Sequence, residues 1–171
     1  MEEEKSLMSE VAAGGYDASD RPFDFVDTND KTVLICEPDE PARTKLVSAL
    51  KGLGYQTTLA ASAREALKSM RFHLFDMVVV NENFDPPAPD RNDVLAYLET
   101  LAMSTRRQIF VVLVSDNYRT SDNMAAFNKS VNVVINPKNI DDTGTILRGA
   151  VADNAAFYRV MKETLQKMGR I

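Results

Sequence analysis

VLICEPDEPARTKLVSALKGLGY, residues 33–55, carries three pieces of local structure in succession. Val33–Cys36 continues a run that opens at Thr32. It is made of β-formers with no polar alternation, which predicts a strand buried on both faces. Glu37-Pro38-Asp39-Glu40 closes that strand with an acidic turn. From Pro41 to Leu53 the apolar residues Leu46, Val47, Leu50 and Leu53 keep a helical spacing, and Gly54 stops the helix. Tyr55 opens a second strand, to about Ala60. Strand, helix and strand in this order predict a right-handed crossover between parallel strands.

The same unit repeats downstream. Ser62 caps a helix to about Phe72, with Ala63, Ala66, Leu67 and Met70 on one face. Met77–Val80 is a third, continuously apolar strand. Asp85-Pro-Pro-Ala-Pro-Asp90 excludes regular structure, because three prolines remove donors and fix φ. A helix is expected from Asp93 to about Met103, a fourth strand over Ile109–Val114, and a short helix from Ser121 to about Lys129. Val133–Ile135 is the fifth strand, and helical character runs from Asp141 almost to Gly169. Five β-α repeats predict a flavodoxin-like three-layer sandwich with a five-stranded parallel sheet and an extended C-terminal helix. In such folds the site lies beyond the carboxyl ends of the strands.

The chain has 171 residues and 44% hydrophobic content, enough for one domain with a real core. Residues 1–30 hold nine acids against Lys5 and Arg21, a balance of −7, which leaves +2 for the rest of a chain of net charge −5. We read 1–30 as an acidic flexible tail, 31–155 as the domain and 156–171 as an extension of its last helix. Within the tail, Pro22-Phe23-Asp24-Phe25-Val26 is either a strap on the domain surface or a partner-binding peptide. A nearly neutral body argues against nucleic acid. No run of about 18 apolar residues predicts a membrane span. The acidic start has no secretory h-region. Cys36 is the single cysteine and His73 the single histidine, so neither a disulfide nor zinc is expected, and a cytoplasmic location is. Cys36 reads as a buried small hydrophobe, and nothing near His73 makes it a base.

The strand-end residues, with the stretches VLICEPDEPARTKLVSALKGLGY (33–55), FDMVVVNEN (75–83), VVLVSD (111–116) and VNVVINP (131–137), resemble the receiver domain of two-component response regulators over about residues 32–152. The resemblance implies a CheY-like fold. It implies a Mg²⁺ site at the acidic turn, a phosphate-accepting aspartate after strand three, a Ser/Thr after strand four and a lysine before a proline after strand five. Here those positions are Glu37 and Pro38, Asn81, Ser115, and Asn136 with Pro137. It also implies a cis Asn136–Pro137 bond. A carboxamide is not a nucleophile for phosphorus. Asn136 brings no charge to neutralise phosphoryl oxygens, and Pro38 removes an oxygen ligand. The expected reading is a degenerate pseudo-receiver: no enzyme, no cofactor, and a phosphorylation-independent protein-interaction module of bacterial signalling. Glu37 and Asp39, with Glu82, are weak candidates for a cation.

Two alternatives stay open. One is a flavodoxin-like domain for a nucleotide or small ligand, opposed by the lack of a Gly-rich phosphate loop after strand one. The other is a conventional regulator phosphorylated on a substitute acceptor such as Asp39 or Asp85. Finally, Val151, Asn154, Tyr158, Met161, Leu165 and Met168 keep 3-4-3-4-3 spacing, the seam of a coiled coil, broadened by Phe157 and Val160. This predicts a homodimer through the C-terminal helices.

Overall fold

The computed structural model describes residues 7–15, 30–88 and 91–170. Strands β1 (Lys31–Cys36), β2 (Tyr55–Leu59), β3 (Met77–Asn81), β4 (Phe110–Val114) and β5 (Val133–Ile135) form one sheet, ordered β2-β1-β3-β4-β5. Every pair is parallel. The helices are α1 (Leu7–Ala13), α2 (Glu40–Gly52), α3 (Ala63–Phe72), α4 (Asp93–Thr100), α5 (Met103–Arg106), α6 (Asn123–Asn128) and α7 (Thr143–Lys167), the last entered through a 3-10 turn at Pro137–Asp142. This is the flavodoxin-like sandwich expected.

Side chains alternate across each strand, so the sheet separates two cores. Val33, Ile35, Met77, Val79, Val112, Val114, Val133 and Ile135 pack under α2 and α7, against Leu46, Leu50 and Leu147. Leu34, Cys36, Val78, Val80, Val111, Leu113 and Val134 face α3, α4 and α6, against Ala66, Leu98 and Ala125. Cys36 is fully buried, which pushes its thiol pKa far up and fits its role as a small hydrophobe. The helices start where side chains satisfy their free amides. Asp39 accepts from Ala42 N at 3.0 Å, Ser62 from Glu65 N at 3.2 Å and Asn92 from Leu95 N at 3.1 Å.

Several expectations need correction. The helix expected over 93–103 breaks at Leu101 and Ala102, which are extended (ψ 142° at both), and resumes for one turn as α5. Leu101 turns onto the core there, and Thr100 Oγ1 bonds back to Tyr97 O at 2.7 Å. The helix expected from Ser121 begins at Asn123. Ser121 has φ 60°, and Asp122 supplies the cap to Met124 and Ala125. No described peptide bond is cis, so Asn136–Pro137 is trans. Pro137 sits in the first turn after β5, a position proline suits in trans, and Asn136 Oδ1 caps it through Lys138 N at 3.0 Å.

Part of the stretch read as a flexible tail is ordered structure. α1 lays Leu7 onto the α3–α4 side of the core, and Glu10 pairs with Arg64. Arg71 Nη1 donates to the carbonyls of Val11 and of Gly14, the latter at 2.9 Å. The expected strap at Pro22–Val26 lies outside the described residues.

α7 has 25 residues, about 37 Å at 1.5 Å per residue. Its first half is held by the sheet through Leu147, Ile146, Ala150 and Val151. Of the six seam residues, Val151 packs on the core, and Asn154 Oδ1 accepts from Asn132 Nδ2 at 3.4 Å. Tyr158 lines a groove of the same domain. The seam therefore serves the chain's own fold up to Tyr158. Only Met161, Leu165 and Met168 continue it beyond.

Candidate functional site

Strand register brings the expected residues together. Cys36 pairs with Val80, so Glu37 emerges beside Asn81. Asn81 pairs with Val114, so Glu82 emerges beside Ser115, and Val114 pairs with Ile135, which puts Ser115 beside Asn136. The ladder runs on past the strands, with Glu82 N donating to Val114 O and Ser115 N to Ile135 O.

Glu37 is 1% exposed. Asn81 Nδ2 sits astride its carboxylate, 3.0 and 2.9 Å from the two oxygens, and Asp39 N donates to Oε1 at 3.0 Å. Burial raises the Glu37 pKa, and the two neutral donors offset this only in part. Asn81 Oδ1 accepts from Asn83 N at 2.9 Å, so its amide is engaged on both sides.

A second carboxylate holds the other half of the crevice. Glu82 Oε2 accepts from Ser115 Oγ and from Asn117 Nδ2 at 2.8 Å, and Oε1 lies 3.3 Å from Lys129 Nζ. Burial alone would raise its pKa. The bonds from Ser115, Asn117 and Lys129 outweigh burial and hold it below the usual carboxylate range. Lys129 rises correspondingly, its partial burial outweighed by Glu82, and its ammonium lies 5.8 Å from the centre of the Tyr118 ring. Glu82 thus links the end of β3 to the end of β4, to the β4–α6 loop and to the end of α6.

Asn136 does not point at either carboxylate. Its Nδ2 donates to Tyr118 O at 2.8 Å, and its N–H donates to Thr120 Oγ1 at 2.9 Å, stitching β5 to the β4–α6 loop. Pro38 and Asp39 are exposed, and Asp39 is spent on capping α2. Asp85 (φ 41°) accepts from Ala63 N at 2.8 Å and so caps α3. Sequence reasoning missed Asn92, whose Nδ2 donates to Asn81 O at 3.0 Å and Glu82 O at 3.1 Å. Its place before the apolar run Val94-Leu95 was a readable cap signal. It also missed Asn117 and Lys129, which no motif marks.

No sequence family and no curated protein matches the chain. Solved structures do. A response regulator from Chloroflexus aurantiacus J-10-fl is similar at 22% identity and TM-score 0.53, over 70% of this chain and 99% of that one. The signal receiver domain of an HD-domain protein from Pseudomonas fluorescens Pf-5 is similar at 18% identity and TM-score 0.56, over 75% and 99%. The chemotaxis response regulator CheY4 of Vibrio cholerae is similar at 17% identity and TM-score 0.51, over 67% and 96%.

The chain has the receiver fold.

The Mg²⁺ that the receiver resemblance implies does not fit the residues present. Glu37 is committed to Asn81 and Asp39 N, Asp39 to Ala42 N, and Pro38 has no side-chain donor. Among the described residues no three His, Cys, Asp or Glu side chains gather to hold a metal ion. At the receiver's phosphoacceptor position stands an amide whose nitrogen already donates to a carboxylate. At its hydroxyl position stands a serine already donating to another. None of the described helices is long and apolar enough to cross a membrane.

Proposed function

We propose that the chain is a phosphorylation-independent receiver module of signal transduction, not an enzyme, working by protein–protein contact and self-association. One observation carries this reading: the side chains at the receiver's acceptor, hydroxyl and lysine positions, Asn81, Ser115 and Asn136, each hold an internal partner. Glu37 holds Asn81, and Glu82 holds Ser115. The Glu82 carboxylate, which accepts from Ser115, Asn117 and Lys129, is a fixed negative charge inside the crevice. It opposes the entry of a phosphoryl group and already takes the hydrogen bonds that group would use. The β4–α6 loop is accordingly held in one arrangement by covalently attached side chains rather than by a transient modification.

The self-association part rests on the outer half of α7. Phe157, Val160 and Met168 are 80%, 70% and 58% exposed there, and Met161 and Leu165 lie between them. Apolar side chains in line on one stretch of helix favour burial against another surface. Static light scattering of the full chain at micromolar concentration tests this. A dimer that Met161→Glu/Leu165→Glu converts to a folded monomer is the expected result, and a wild-type monomer overturns it.

A further inference from the structure

α1 is a weak helix by its own chemistry, yet the domain holds a fitted seat for it. Its seven residues make two turns, too few for a stable helix alone in water. None of its side chains is fully buried, and Leu7, Met8 and Val11 are half-buried. α1 lies on α3 and α4, where Leu7 joins the core cluster that also takes in Met70 and Leu95.

The seat is basic. Arg64, Lys68 and Arg71 recur at i, i+4 and i+7 along α3, which sets them in one stripe. α1 uses both ends of that stripe. Arg64 pairs with Glu10, and the Arg71 guanidinium donates to the carbonyls of Val11 and Gly14, where a helix end carries negative partial charge. The one acid of α3, Glu65, turns back to accept from Ala61 N at 2.6 Å. The seat therefore reads an apolar residue followed one turn later by an acid, on a helix whose last carbonyls meet Arg71.

Covalent linkage gives α1 an effective concentration at the seat on the order of millimolar, so tethering rather than burial keeps it there. The same segment of a second copy, at micromolar protein, loses to that concentration. A longer helix of the same chemistry does not, because it buries more apolar surface and sets further acids along the stripe.

We infer that the α3–α4 face is a docking surface for an acidic amphipathic helix of a partner protein, and that α1 is the chain's own displaceable cover for it. The inference rests on the reading of the chain as a protein-contact module, and on nothing in the crevice or the outer half of α7. When such a helix arrives, α1 leaves, and Arg64, Arg71 and Met70 pass from one acidic helix to the other.

The test uses the full chain and a fluorescein-labelled peptide of residues 1–16 as the acidic helix, followed by fluorescence anisotropy. Leu7→Asp/Glu10→Arg in the chain empties the seat, and adding Arg64→Glu/Arg71→Glu removes its basic stripe. None of these four residues is fully buried, so both variants should melt within a few degrees of the wild type, and the melts are recorded alongside. Peptide binding on the order of ten-fold or more tighter to the emptied chain than to the wild type, and lost again without the basic stripe, supports the inference. Equal binding to wild type and emptied chain, no binding to the emptied chain, or binding that survives Arg64→Glu/Arg71→Glu overturns it. So does a wild-type oligomer in sedimentation that Leu7→Asp/Glu10→Arg dissociates, which would make a second copy the occupant. Each of these negative results leaves the reading of the crevice, tested by phosphorylation, standing.

Discussion

Replacing Asn81 by Asp restores the residue type that a phosphorylated receiver carries, and in this crevice it should be destabilising. In the wild type the Asn81 nitrogen lies 2.9–3.0 Å from both oxygens of a carboxylate that is 1% exposed. Asn81→Asp puts an acceptor where the donor was. A hydrogen bond to a charged group, about 1.5–3 kcal/mol, is lost. Two carboxylates then face each other at about 4 Å, a repulsion of about 4 kcal/mol at an effective dielectric constant near 20. The pair limits the damage by sharing a proton, so we expect a net loss of about 2–4 kcal/mol near pH 7.5. The folded-state pKa of that shared proton stands above the unfolded carboxylate value. The penalty is therefore absent below the unfolded pKa and grows as pH rises through the folded one. Urea denaturation without divalent ions, at about pH 7.5 and about pH 5, measures both limbs, with Asn81→Ala as the uncharged control. A variant within about 0.5 kcal/mol of wild type near pH 7.5, or a penalty that does not shrink in acid, refutes the reasoning.

Glu82→Gln removes the charge that Ser115, Asn117 and Lys129 converge on. It should cost about 1–3 kcal/mol and speed amide hydrogen exchange over residues 115–121 more than in β1 or β3. The Glu82 pKa is depressed in the folded protein, so its stabilisation is present above the ordinary glutamate value of about 4.3 and is lost as pH falls through the lower folded value. The variant should lack that part of the acid-unfolding limb, and an unchanged limb would count against the Glu82 cluster. Arg71→Ala should free α1 locally: proteolysis near residues 7–15 rises while the global melting temperature moves by only a few degrees. Equal protease resistance would mean that the Leu7 contact and the Glu10–Arg64 pair hold α1 without Arg71.

The fold was legible because its strands are unusually plain. Met77–Val80 and Val111–Val114 carry no polar residue, so their burial on both faces and their parallel pairing come from period and composition alone, and with them the importance of the residues just past each strand end. The crevice residues were legible for the same reason: register turns sequence positions just past strand ends into neighbours. Their partners were not. Nothing in the sequence says that Glu37 spends its carboxylate on Asn81, or that Glu82 reaches Ser115 and Lys129, since Lys129 is 47 residues away and joins only through tertiary packing. The break at Leu101 escaped detection because apolar spacing continues through it, and core contact overrides local preference there. The docking of α1 was hidden by the acids around it, which read as a repelling tail. Of the C-terminal seam, Val151, Asn154 and Tyr158 serve the chain's own domain, which spacing alone does not reveal because a helix face against the chain's own sheet and a coiled-coil face share the same period.

A crevice whose acceptor-position amide and hydroxyl-position serine are both held by carboxylates should take no part in phosphoryl transfer. The direct measurement is intact-mass analysis of the full chain after incubation with acetyl phosphate and Mg²⁺, with a competent receiver treated in parallel. We expect the control to gain one phosphoryl group and this chain to stay at its unmodified mass, Asn81→Asp included, because Asn136 still supplies no cation and Glu82 still occupies Ser115. A gain of one phosphoryl group on the wild-type chain, whether mapped to Asp39, Asp85 or any other carboxylate around the crevice, would contradict the account.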